Sequence, residues 1–170
     1  MDRDQLRSTQ APLKERYAES PEAALVTLRA DGALGEGVSC SISTGKAIAE
    51  AGLHPAAGGD GTLLCSGDML LEALVACAGV TLSAVSTALA IPLRDAHVSA
   101  EGDLDFRGTL GVDRDAPVGF TAIRLRFELD SDATDDELDA LLETTERYCV
   151  VYQTLAGGVP LEVSRVRAGT

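Results

Sequence analysis

The stretch SGDMLLEALVACAGVTLSAVSTALAI, residues 66–91, decides how the chain is read. Its only charges are Asp68 and Glu72, both near its start. Leu70, Ala73, Leu74, Cys77, Thr81, Ala84 and Ala88 recur at helical spacing, and the other faces are nearly as apolar. A helix apolar on every side is a buried helix. Ser66 is placed as its N-cap, Asp68 brings negative charge to the first turn, and Pro92 ends it. Residues 73–93 are uncharged and long enough to cross a bilayer. However, Thr81, Ser83, Ser86, Thr87 and many alanines interrupt them, and amphipathic segments surround them. The reading is a buried central helix, with no membrane as partner.

Working outward, the N-terminal side offers a short helix over 4–18, with Leu6, Gln10, Leu13 and Tyr17 on one face. ALVTLRA (24–30) reads as a strand, DGALGEG (31–37) as a turn, and VSCSIS (38–43) as a strand with Val38, Cys40 and Ile42 on one face. Together they make a hairpin, and Cys40 is a packed residue. HPAAGGDG (54–61) is a loop.

On the C-terminal side, DAHVSAEGDLDF (95–106) alternates as a half-exposed strand, interrupted at Gly102. FTAIRLRFELD (120–130) turns Ile123, Leu125, Phe127 and Leu129 inward and Arg124, Arg126 and Glu128 outward. DATDDELDALLETTERYC (132–149) begins a second helix, because Thr134 and Glu137 have capping-box spacing. Leu138, Leu141, Leu142, Thr145 and Cys149 share its buried face. VPLEVSRV (159–166) alternates as a final strand.

Strands joined as hairpins, with helices between them, predict an α+β layered domain spanning residues 1–170, with 1–20 as a helical extension. One small sheet covers one face of the central helix, yet every face is apolar. A homodimer that buries the helix between two protomers resolves this.

The totals exclude several classes of function. A net charge of −13 argues against nucleic acid and anionic membrane surfaces, which attract basic proteins. The N-terminal MDRDQLRSTQ lacks the apolar stretch of a signal peptide, which predicts a cytoplasmic, reducing location. The four cysteines (Cys40, Cys65, Cys77, Cys149) include no C-x-x-C, and the histidines are His54 and His97 alone, so no metal site is expected. His97 falls on the solvent face of a strand, and no G-x-S-x-G is present, which argues against a serine triad. GGDG lacks the Lys and Ser/Thr of a phosphate-binding P-loop.

Cys77 and Cys149 remain. Each lies on the apolar face of its own helix, so both thiols can reach one interior. Two readings stay open on the residues alone: inert packed cysteines, or a dithiol that cycles through sulfenic acid and disulfide. Cys65 precedes Cys77 by 12 positions, three to four turns in a regular helix, so these two cannot pair. Cys65 reads as a packing residue or a loop thiol.

CSGDMLLEALVACAGVTLSAV, followed by YCVVYQTLAGGVPLEV, resembles the OsmC/Ohr family of hydroperoxide-resistance proteins, in a divergent branch. The resemblance covers about residues 24–166 and rests on the Gly-rich loop, the long helix carrying VAC, two strands, and the later cysteine. It implies a two-layer α+β fold with an antiparallel sheet, the long central helix and an intertwined homodimer. It implies a thiol-dependent hydroperoxide reductase acting in oxidative-stress defence, with organic hydroperoxides as substrates. Carried over, Cys77 is the peroxidatic cysteine and Cys149 the resolving one. No cofactor is bound, and an external dithiol, such as a lipoylated protein, is the electron donor. The family's activating arginine falls nearest Arg29, its glutamate position is Ala56 with Glu50 further off, and the proline that often follows the second cysteine is Val150. The missing glutamate keeps a second reading open, a stress or ligand-binding member of the fold without efficient peroxidase activity.

Overall fold

The computed structural model describes residues 2–20, 31–34, 39–43 and 48–167. Arg29 and the strand expected over 24–30 lie outside the described residues. The N-terminal extension is helical, α1 (Arg3–Glu19). β1 (Asp31–Leu34) pairs antiparallel with β2 (Ser39–Ser43), Leu34 opposite Cys40. The first half of the expected turn DGALGEG is therefore strand. Asp31 and Gly32 are drawn into the ladder by pairing with Ser43 and Ile42, which overrides their turn preference. β3 (Ile48–Gly52) extends the sheet antiparallel, and the two-residue β4 (Leu64–Cys65) joins it in parallel.

Between β3 and β4 the Gly-rich loop contains one 3-10 turn, Pro55–Ala57. His54 builds it. Its Nδ1 accepts the Ala56 N–H at 3.0 Å, and its ring stacks on Phe106 at 5.0 Å between centroids. Its role there is structural.

α2 (Ser66–Leu89) begins one residue earlier than expected, with Cys65 rather than Ser66 as N-cap. Cys65 is held extended by its pairing with Gly52, so the first helical position falls on Ser66. α2 also buries a different stripe. Leu74, Ala78, Leu82 and Val85 are buried, whereas Ala73, Ala76, Val80 and Ser83 are exposed, Val80 by 73%. Within one chain, then, the central helix is buried along one face rather than all round. It is long and apolar enough to cross a membrane, but its apolar stripe is occupied by protein.

That stripe meets the second sheet. β5 (Asp95–Leu104) and β6 (Phe120–Asp130) form an antiparallel pair, with Val98 opposite Phe127. Val98, Phe127 and Leu129 pack with Leu82, Val85 and Ile91 around the fully buried Leu141. β5 runs through Gly102 without interruption, shifting register only at Asp103/Leu104. The glycine is needed for another reason: a Cβ there would collide with the Phe120 ring. On the outer face Arg124 pairs with Asp103 and Glu101, and Arg94 with Asp130. These pairs are half-exposed or more, so water screens them and they mainly favour register.

A short α3 (Phe106–Thr109) follows β5. α4 (Asp135–Tyr148) starts with the expected capping box, Thr134 and Glu137 each bonding the other's backbone. α5 (Val150–Gly157) was not foreseen. The final strand is not formed: 158–167 belong to no helix or strand, and Leu161 and Val163 are 88% and 97% exposed. Alternation alone cannot make a strand. A ladder needs a neighbour, and none lies alongside among the described residues. The protein is thus a mixed α+β fold with small, mostly antiparallel sheets.

Candidate functional site

The site forms where α2 crosses the junction of α4 and α5. Cys149 is that junction. Its N–H donates to the Thr145 carbonyl at 2.9 Å, ending α4, and its carbonyl accepts the Gln153 N–H at 2.9 Å, opening α5. Its backbone is extended, φ −74° and ψ 106°, so one residue turns the chain between the helices. Thr145, fully buried one turn earlier, donates its hydroxyl to the Leu141 carbonyl at 2.8 Å and leaves no polar atom unmet.

The expected meeting of the two helical cysteines occurs. Cys77 packs with Cys149, Leu74 and Ala78, surrounded by Val98, Ala100, Ile123 and Leu125 from the sheet and by Val151 and Tyr152 from α5. Both are free thiols in one cluster, and each shifts the ionisation of the other. Their surroundings differ. Cys149 is 1% exposed, while Cys77 is partly accessible.

The two sulfurs are also unequal as acids. Burial opposes ionisation of Cys77, but hydrogen bonds from the Val151 N–H, the Cys149 thiol and the Val150 N–H outweigh it and hold Cys77 below the ordinary thiol value. Thr81 contributes least, its hydroxyl being engaged by the Cys77 carbonyl at 2.8 Å. For Cys149, burial pushes the thiol up, and donating to a charged Cys77 pushes it further. The Tyr152 and Val151 amides pull the other way without prevailing. They make no well-formed capping bond to its sulfur. One proton therefore belongs on Cys149 when the pair is singly ionised, leaving the thiolate on the more accessible sulfur.

Sequence reasoning missed the donors. Among the described residues, the groups that favour the Cys77 thiolate are hydrogen-bond donors, and no cation is among them. One signal was available: the residue after Cys149 is valine, which has a backbone N–H, and not proline, which has none. The other proposed residues lie elsewhere. Ala56 is exposed in the 3-10 turn, and Cys65 lines a separate pocket with His54, Asp68 and Phe106 near the start of α2. His97 is exposed on β5 opposite Glu128.

Beside the thiols an open cleft of about 860 Å³ runs between β6, α4 and α5. Leu74, Ile123, Leu125 and Tyr152 line it and belong to the cluster around the cysteines. Tyr152 shares a hydrogen bond with Glu146, which raises its pKa and keeps the phenol neutral.

This fold has known counterparts. It is similar to an OsmC-like protein from Mycoplasma pneumoniae, with TM-score 0.66 and 19% identity over 78% of this chain and 89% of that one. It is similar to an organic hydroperoxide resistance protein OsmC from Legionella pneumophila, with TM-score 0.62 and 18% identity over 78% and 91%. A third likeness is to an organic hydroperoxide resistance protein from Elizabethkingia anophelis, with TM-score 0.63 and 16% identity over 79% and 91%. At these identities the likeness is one of fold. No curated protein matches the sequence. The family model for OsmC-like protein matches residues 59–164, from the Gly-rich loop through both cysteines, and on that span the chain belongs to the OsmC-like family.

Proposed function

We propose that the protein is a cytoplasmic thiol peroxidase that reduces organic hydroperoxides. The observation that carries this reading is the inequality of the paired thiols: an accessible Cys77 favoured as thiolate beside a buried, protonated Cys149. A nucleophile must be ionised and reachable, whereas a resolving thiol need only be adjacent. The Cys77 thiolate attacks the terminal oxygen of ROOH. The O–O bond breaks, ROH leaves with a proton from solvent, and Cys77 becomes a sulfenic acid. The Cys149 thiol displaces hydroxide from that sulfur, forming the disulfide and water. An external dithiol then reduces the disulfide and is itself oxidised. The apolar wall of the adjacent cleft favours substrates with an apolar R group.

We also propose a homodimer. Support comes from the exposed Ala73–Ala76–Val80 face of α2, the edge of β6 that no strand among the described residues pairs, and the exposed Val159, Leu161, Val163 and Val166. A monomer by light scattering at micromolar concentration counts against it.

The test of the peroxidase is the protein's mass after one equivalent of cumene hydroperoxide. Loss of two hydrogens, with linked Cys77 and Cys149 peptides and no change in Cys77→Ser, is the expected result. Unchanged thiols overturn it and favour a ligand-binding member of the fold.

A further inference from the structure

His54 is one of two histidines in the chain, and it is built into the loop that follows β3. Its Nδ1 accepts the Ala56 N–H at 3.0 Å and so caps the Pro55–Ala57 turn. Its carbonyl accepts the Ala57 and Gly59 N–H groups at 2.8 and 3.1 Å. Of these bonds, only the one to Ala56 passes through a titratable atom.

An imidazole nitrogen accepts a hydrogen bond only while it carries no proton. The neutral ring of His54 therefore has its proton on Nε2. Protonation turns Nδ1 from acceptor into donor. Two N–H groups then meet across the same short gap, and the cap is lost. Histidine is the side chain that makes such a change at mildly acid pH. Stacking on Phe106, at 5.0 Å and 24° between planes, does not depend on that proton. The stack keeps the ring in place, so the change falls on the turn.

The ring also lines a cavity of about 380 Å³, together with the thiol-bearing Cys65. Two carboxylates share this cavity: Asp68 from α2, and Asp103 from β5, which is paired with Arg124. Arg107 on α3 is held by Asp105 and Asp113. Within the loop, Asp60 accepts from the N–H and hydroxyl of Thr62. Among the described residues, no Lys or Arg lines the cavity.

We propose that His54 is a protonation switch for the loop between β3 and β4: the neutral ring, protonated at Nε2, holds the turn beside the Cys65 cavity, and the imidazolium releases it. One proton is taken up from solvent, and one hydrogen bond is lost. The switch is independent of the peroxidase reading, because it uses neither Cys77 nor Cys149.

The test is nuclear magnetic resonance on the isotopically labelled full chain between pH 8 and pH 5. At pH 8 the proton of His54 is expected on Nε2. As the ring titrates, the hydrogen-exchange protection of the Ala56 amide is expected to fall about fivefold, the loss of one cap, on the same curve as the ring. His54→Asn keeps a capping acceptor that does not titrate, so its Ala56 amide should stay protected throughout. His97→Gln, which removes the other histidine, should keep the step. A proton on Nδ1 at pH 8, flat Ala56 protection across the ring's titration, the same step in His54→Asn, or its loss in His97→Gln overturns the proposal. If His54→Asn does not fold, the wild-type tautomer and the shared titration curve of ring and amide decide.

Discussion

α2 and α5 begin alike and end up in different chemistry. Each has a cysteine as N-cap, each cysteine is extended, and neither makes a side-chain capping bond. At α2 the cap is followed by Ser-Gly-Asp, and Asp68 supplies the negative charge that a helix N-terminus favours. Cys65 there looks onto an open pocket lined by Phe106, Phe120 and Leu104. At α5 the cap is followed by Val-Val-Tyr, with no acid in the first turn, and the cap cysteine shares a cluster with a second cysteine, Cys77. A cysteine at a helix start is thus not in itself a redox site. On the proposed reading, what decides is whether a second cysteine packs alongside, as Cys77 does beside Cys149.

The largest expected effect tests the α5 side. Cys77→Ser should lower peroxide consumption by at least about a thousandfold, measured by residual hydroperoxide, as removal of a nucleophile does elsewhere. Comparable loss in Cys65→Ser would erase the distinction between the two helix starts. Next comes packing beneath the junction. Leu141→Ala should cost about 2–5 kcal/mol in urea unfolding, because Leu141 is fully buried and anchors the helix that carries Cys149.

A smaller effect concerns protons. Cys77 sits below its ordinary pKa, so its thiolate, and hence its alkylation, should rise at lower pH than for an ordinary thiol. Cys149→Ala removes a donor to that thiolate. Its alkylation midpoint should therefore move upward, with the rate at neutral pH falling about threefold. A downward move would mean that the Cys149 thiol opposes the charge on Cys77. The smallest effects concern capping itself. Thr134→Ala, which breaks the capping box of α4, should cost about 1 kcal/mol. Cys65→Ser, which introduces a better cap, should leave peroxidase activity unchanged and raise stability by a few tenths of a kcal/mol. Thermal unfolding reads both.

Much of this was legible in the sequence, for definite reasons. β5, β6 and α4 follow from alternation, helical spacing and the Thr134–Glu137 pair, all local signals. The convergence of Cys77 and Cys149 was indicated by two apolar helix faces and the family resemblance. α5 was not legible because VVYQTLAG opens with two β-branched residues, which favour strand locally. Packing of Val151 and Tyr152 against the cysteines overrides that preference. The start of α2 was misplaced because Ser66 is the better intrinsic cap, and the pairing of Cys65 with Gly52 is a long-range contact that no local rule contains. Gly102 was recognised as unusual for the wrong reason, since the Phe120 ring that requires it lies on another strand.

The one-residue joint at Cys149 bears on how this part of the chain tolerates change. Because α4 ends and α5 begins on the same residue, the buried thiol and the amides beyond it are spaced by the chain itself. The Val150 side chain is 69% exposed, so packing places little constraint on it. A single insertion or deletion between Tyr148 and Tyr152, by contrast, rotates α5 by about 100° relative to the thiol. Length, more than composition, is what selection must preserve there.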